Sequence, residues 1–297
     1  MSQGRDTAAP KNIVLATDLT LTGDRAYDRA VQIATESKAT LTVLHVVETG
    51  PDAFADVSRR KSDAQAEMAR LIERHTSTGG LAIEPRITLG DPVDRIVAVC
   101  RETDSDLLVT GLGHAKSLGE KLLGSTVAKV LQELSCPVLS VRGRVAGGYS
   151  TIGIGVDFSE ASRKALHIAI RLFPRRKFWL VHAHEKSFGS AFQSDFQRSA
   201  NKLGLEHAID LFLNETTEQL AAQGLESPHG AQAFSWDGSP VAVFKTFLDI
   251  HRPDLVVVGT HGRSGLQRLT LGSVAEQLLN ALPCDVLAVP TRAETTA

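Results

Sequence analysis

Asp254-Leu-Val-Val-Val-Gly259-Thr-His-Gly262-Arg-Ser-Gly-Leu-Gln-Arg-Leu-Thr-Leu-Gly272-Ser273-Val-Ala-Glu-Gln-Leu-Leu279 is the stretch whose reading decides the fold. Its apolar run, Leu255 to Val258, reads as a strand buried on both faces, as in a parallel sheet. Glycines follow at Gly259 and Gly262, and after nine more residues come Gly272 and Ser273. A helical pattern then places Val274, Leu278, Leu279 and Leu282 on one face. Strand, glycine-rich loop and helix N-terminus together make an anion site. Glycine lets phosphate oxygens approach backbone N–H groups, and the helix start adds free donors and a positive dipole end. Ser273 is placed to cap that helix and to offer its hydroxyl to phosphate. Glycine-rich turns also simply reverse the chain, and at this level both readings stand. The patterns G-x-x-x-x-G-K-[ST], G-x-G-x-x-G and G-x-S-x-G are all absent, which excludes a P-loop, a dinucleotide fingerprint and a nucleophile elbow by motif.

The stretch has a counterpart earlier in the chain. Asp106 to Leu139 aligns on Asp254 to Leu287 without a gap, and Cys136 falls on Cys284. Lys11-Asn-Ile-Val-Leu-Ala-Thr-Asp18 resembles Ser150-Thr-Ile-Gly-Ile-Gly-Val-Asp157, and Leu41-Thr-Val-Leu-His45 resembles Phe178-Trp-Leu-Val-His182. Gly90-Asp-Pro92-Val93 resembles Gly238-Ser-Pro240-Val241. The chain is two repeats of one domain, and the 297 residues suit two domains. The expected division is a disordered lead-in over 1–10, a first domain over 11–144 and a second over 150–297. The join falls in Arg144-Val-Ala-Gly-Gly-Tyr149, which has the composition of a linker.

Each repeat alternates strands and helices. In the first, strands are expected at Ile13–Thr17, Leu41–Val47, Leu81–Thr88, Leu107–Thr110 and Val138–Val141. The intervening helices run over Asp24–Ser37, over Ser62–His75 with Gly79-Gly80 as its stop, from Pro92 to about Cys100, and over Ser125–Leu134. The second repeat places its strands at Ile152–Val156, Lys177–Ala183, Gln232–Trp236, Leu255–Val258 and Val286–Val289. The fold class is therefore α/β, two tandem open five-stranded parallel-sheet domains with helices on both faces. The second repeat carries about eleven extra residues between His182 and Gly238, with Phe188, Phe192 and Phe196 spaced as one helical face. Packing against core or partner is one reading of that segment, and a flap over a ligand is the other.

Composition limits the functional classes. Net charge is −2, which points to neither nucleic acid nor an anionic membrane surface. No apolar run reaches the ~18 residues of a membrane span, and the first residues lack the apolar core of a signal peptide. Three cysteines without C-x-x-C spacing favour a reducing compartment, so a cytoplasmic location is expected.

These repeats, with Gly259, Gly262, Gly272 and Ser273 in place, resemble the universal stress protein family in its tandem form, from Lys11 to Val289. The resemblance implies a Rossmann-like fold of the adenine-nucleotide alpha-hydrolase group and a regulatory role in stress through bound ATP or AMP, with or without magnesium. It implies that Asp157 and Ala183 sit around the adenine, with Val156 also among the nucleotide-binding residues. It places Gly259 and His261 near the ribose and α-phosphate, and Gly262, Arg263, Gly272, Ser273 and Val274 around the phosphates. The first repeat keeps Asp18, Val46, Gly111, Gly124, Ser125 and Thr126 but has His114 where the second glycine belongs, with Gly113 displaced by one. It is expected to be a degenerate site. The resemblance also implies pairing through the last strands, Val138–Val141 and Val286–Val289, as an intramolecular pseudo-dimer, with a further homodimer of whole chains. A nucleotide-independent scaffold or chaperone-like protein is the rival reading, and a slow ATPase a third. The protein is expected to have no catalytic residues, because no base for hydrolysis can be placed near the loop, and no resident metal site, because no third ligand accompanies His182 and His184.

The remaining polar residues read as structural. His182 and His184 share one side of a strand and suit site-wall packing better than half a metal site. Cys136 and Cys284 suit small buried apolar roles, and Asp106 and Asp254 suit turn or capping chemistry.

Overall fold

A computed structural model describes residues 9–49, 56–74, 80–111, 124–184, 195–222, 224–225, 230–260 and 271–291. The first repeat contains β1 (Asn12–Ala16), α1 (Leu21–Ser37), β2 (Thr40–Val47), α2 (Val57–Glu73), β3 (Ile83–Leu89), α3 (Pro92–Glu102), β4 (Leu107–Gly111), α4 (Ser125–Glu133) and β5 (Val138–Val141). The second contains β6 (Thr151–Gly155), α5 (Glu160–Leu172), β7 (Lys177–His184), α6 (Asp195–Ala222), β8 (Gln232–Asp237), α7 (Pro240–His251), β9 (Leu255–Gly259), α8 (Ser273–Ala281) and β10 (Asp285–Val289).

The strands form one ten-stranded sheet in the order β3-β2-β1-β4-β5-β10-β9-β6-β7-β8. Within each repeat every pairing is parallel. Between repeats, β5 and β10 pair antiparallel, with Leu139 opposite Leu287. Short strands such as β5 and β10 are buried at every residue, as continuous apolar runs covered on both faces must be. One core layer, under α1, α2, α5 and α6, unites Leu15, Tyr27 and Val141 with Ile154, Leu166 and Leu287. The other, under α3, α4, α7 and α8, unites Val14, Val97 and Leu131 with Val256, Phe247 and Leu278. Both layers run through both repeats.

Helix starts follow local chemistry. Asp91 caps α3 by accepting from the N–H groups of Val93 and Asp94, and Pro92 takes the first turn, where its missing donor costs nothing. Ser239 and Pro240 repeat this at α7. Asp106 and Asp254 do more than turn the chain. The Asp106 carboxylate accepts the N–H groups of Lys11 and Asn12, and that of Asp254 accepts from Ser150 N–H, the Ser150 hydroxyl and Thr151 N–H. Each aspartate therefore pins the start of its repeat's first strand.

The join departs from the linker expectation. Tyr149 is 1% exposed and gives its hydroxyl to Asp285 at 2.7 Å. Asp285 also accepts the N–H groups of Arg142 and Gly143, and lies 3.4 Å from the guanidinium of Arg29. Arg29 in turn lies over the Tyr149 ring at 4.0 Å. Burial, then the Asp285 charge, push the Tyr149 hydroxyl well above its ordinary pKa. A stretch composed like a linker thus ends in a buried anchor, because a glycine pair gives the chain the freedom to turn one aromatic into the seam.

Two further expectations shift. The stop of α2 comes at Glu73, with Arg74 as its C-cap, rather than at Gly79-Gly80; residue 79 lies outside the described residues, and Gly80 instead turns the chain with φ 93. The extra length of the second repeat lies in α6, 28 residues against 17 in α2. Phe188 and Phe192 lie outside the described residues, as do residues 1–8 of the expected lead-in.

Candidate functional site

Strand order reverses between β1 and β4 in the first repeat and between β6 and β9 in the second. The crevice beyond the C-terminal ends of such strands is where an open α/β sheet takes ligands. Because β5 and β10 run antiparallel, the two crevices open at opposite ends of the shared sheet.

The crevice floors are built alike. Asp18 accepts the N–H and hydroxyl of Thr20 on Oδ1, at 3.1 and 2.7 Å. Asp157 does the same with Ser159, at 3.1 and 2.5 Å. These turns hold the middle residue left-handed, Leu19 at φ 59 and Phe158 at φ 62. Bulky residues in that conformation are strained and persist where the surroundings fix them. Sequence reading missed this strain, although the repeated Asp-x-Thr and Asp-x-Ser spacing signals the turn. The His45 ring donates from Nδ1 to the Thr17 carbonyl at 2.9 Å, and His182 to the Val156 carbonyl at 2.7 Å. His184 pairs through Nε2 with the Ser235 hydroxyl. Among the described residues no group of three His, Cys, Asp or Glu side chains could hold a metal ion.

In the first repeat a cavity of about 960 Å³ fills this crevice. Asp18, Val46, Gly111, Gly124, Ser125 and Thr126 all line it. Arg60 and Arg70 of α2 contribute cations to its wall, and Asp63 and Glu67 carboxylates. Gly113 and His114 lie outside the described residues.

In the second repeat Val156 lies just beyond β6 and gives its N–H to Val181 at 2.9 Å. Ala183 sits near the end of β7, opposite Trp236. Gly259 ends β9, and a Cβ there would meet the Ala161 carbonyl oxygen at 2.8 Å. Its smallness is thus demanded by the close approach of α5, whatever the ligand. The buried Thr260 gives its N–H to the Val289 carbonyl, and the Gly272 N–H returns to the Thr260 carbonyl at 2.7 Å. This ties together the two ends of the glycine loop. His261, Gly262 and Arg263 lie outside the described residues.

The start of α8 corrects the reading of Ser273. Gly272 is the N-cap, with extended backbone at φ −61 and ψ 141 and no side-chain cap, and Ser273 is the first helical residue. Among the described residues no cap side chain accepts from the first-turn N–H groups, the kind of helix start that suits an anion. Val274 is also reassigned: it is 44% exposed, while Ala275 joins Leu278 and Leu279 in the buried face. Gly124 caps α4 in the same way, at φ −57 and ψ 141.

The thiols stay out of this chemistry. A hydrogen bond to Cys100, then burial, push Cys136 well above the ordinary thiol range, and burial pushes Cys284 up to about 12. Neither carries thiolate at neutral pH.

A sequence model of the universal stress protein family matches residues 10–142 and again residues 148–290. The chain belongs to that family. A universal stress protein of Mycobacterium tuberculosis is 30% identical over 142 residues, 45% of this chain and 97% of the relative. The universal stress protein YxiE of Bacillus subtilis is 31% identical over 134 residues, 40% of this chain and 89% of the relative. Each of these relatives thus corresponds to one repeat. Two solved structures extend over both. A putative universal stress protein of Pseudomonas aeruginosa superposes with a TM-score of 0.65 at 20% identity, covering 95% of this chain and 94% of its own. A universal stress protein of Archaeoglobus fulgidus gives 0.66 at 17% identity, covering 95% and 98%. That likeness is one of fold. Among the described residues, no helix is long and apolar enough to cross a membrane.

Proposed function

We propose that this universal stress protein is a cytoplasmic regulatory protein that binds an adenine nucleotide, ATP or AMP, in its second repeat. The observation that carries this reading is the α8 start. A helix N-terminus without a side-chain cap follows a glycine loop whose ends are tied at Thr260 and Gly272, at a strand-order reversal. Phosphate fits there for a physical reason: free N–H donors and a positive dipole end meet an anion with no Cβ at Gly272 to hold it off. Gly259, Gly272, Ser273 and Val274 supply the phosphate side, with Val156, Asp157 and Ala183 on the adenine side. His261, Gly262 and Arg263 complete the loop. The nucleotide is held rather than turned over, and it acts by favouring the shape or assembly to which it binds more tightly. Magnesium, where present, accompanies the phosphates.

The cavity of about 960 Å³ in the first repeat favours a second reading, a ligand at each crevice. Titration of ATP or AMP into Gly272→Val and Gly124→Val separates the two. The one-site reading expects binding to vanish in Gly272→Val and to persist in Gly124→Val, with both variants folded. Binding that survives in Gly272→Val overturns it. No binding by the wild-type protein leaves the scaffold reading, and phosphate release that depends on Gly262 marks the ATPase.

A further inference from the structure

The last four carbonyls of a helix have no partner within it, and a cation near them complements the negative end of the dipole. Helix α8 has no basic residue in its last turn. Its need is met from the other repeat. The guanidinium of Arg142, just beyond β5, donates to the Leu279 carbonyl. Arg142 is 7% exposed, and its own N–H is fixed on Asp285 at 2.7 Å. The matching helix α4 also lacks a basic residue in its last turn, but its brace is local and exposed: Arg101 of α3 reaches the Glu133 carbonyl at 3.4 Å. At the offset that aligns Asp106 with Asp254, Arg101 falls on Asp249 and Arg142 on Pro290. The second repeat therefore has no arginine at either position, and its helix is braced by the first.

We propose that Arg142 is a positioning residue for the ligand site of the second repeat, acting through α8. The inference rests on the reading of that site as a nucleotide site. A nine-residue helix is a short rigid rod, so fixing its C-terminal end sets the aim of its N-terminal donors. Its other end is tied by the Gly272 N–H to Thr260. Between the two ties, α8 keeps its first-turn N–H groups, from Ser273 onward, aimed at the ligand site. The first repeat thereby sets the affinity of the second without touching its ligand.

The test is calorimetric titration of ATP into the full wild-type chain, R142M, R142K and R101M, each checked for folding by circular dichroism. Substitutions that touch no ligand can change affinity by about twofold to thirtyfold. R142M is expected to bind about tenfold more weakly. R142K keeps the cation and is expected within about threefold of wild type, while R101M binds as wild type does. Should R142M not fold, R142Q replaces it, keeping a donor without the charge, with an expected loss of about threefold to tenfold. Wild-type affinity in R142M, or in R142Q where that replaces it, overturns the inference and leaves the nucleotide reading intact. Equal losses in R142M and R101M overturn it as well, since they mark general loosening. A wild-type chain that binds no ATP overturns both.

Discussion

The two repeats share a scaffold and differ at the loop and at the seam. Both tie their first strand with an aspartate, Asp106 or Asp254, and both strain a bulky residue beyond it, Leu19 or Phe158. Both begin the helix after the fourth strand with an uncapped glycine, Gly124 or Gly272. Yet His114 stands in the first repeat where Gly262 stands in the second, and Asp285 stands in the second where Pro137 stands in the first. The lesson is that one fold is built twice with the same strand ends and helix starts, while the two copies differ in sequence at the loop position held by His114 and Gly262. The seam is likewise unequal: the second repeat supplies the buried carboxylate of Asp285, and the first supplies the Arg29 guanidinium set against it.

The largest break in this comparison is expected at the seam. Asp285→Ala leaves the Arg29 guanidinium buried without its carboxylate and strands the Tyr149 hydroxyl. Breaking one side of a buried ion pair costs about 3–5 kcal/mol, readable from the midpoint of urea unfolding. The strand anchors come next. Asp254→Ala removes an acceptor of three hydrogen bonds and Asp106→Ala one of two, so about 2–3 and about 1–2 kcal/mol are expected. Acid adds a sign to this pair. Burial opposes the Asp254 charge, but bonds from the Ser150 hydroxyl and the Thr151 and Ser150 N–H groups outweigh it and hold its pKa below the ordinary value. Its contribution is then fully present above the unfolded value of about 3.9 and fades as pH falls through the lower folded one. A pH series of unfolding midpoints in which Asp254→Asn loses the same acid-dependent increment as wild type would contradict this. Gly259→Ala is next, at roughly 1–3 kcal/mol for the overpacking of a Cβ against the Ala161 carbonyl. A thermal melt unchanged from wild type would show that α5 moves aside freely.

Much of this was legible because periodicity reports burial. The strand cores from Ile13 to Leu287 are apolar runs, and Pro92 and Pro240 mark helix starts by chemistry that needs no tertiary partner. That Asp18, Val46, Gly111 and Gly124 meet at one cavity was legible for a similar reason, since strand ends and glycines punctuate a sequence. What escaped depends on distant contacts. Tyr149 reads as the end of a loose linker until Asp285 and Arg29 close on it. Arg142 carries no signal in the sequence, because its partner carbonyl at Leu279 is 137 residues away. Ser273 reads as a cap because serine is a good one, yet the chain enters the helix one residue earlier, at Gly272.

The most direct test is native mass spectrometry of the purified full chain titrated with ATP, counting nucleotides per chain in wild type and in Gly272→Val. One nucleotide on the wild-type chain and none on the variant is the predicted result. Two on the wild type, or one kept by Gly272→Val, would contradict the account and move the working site to the cavity of the first repeat.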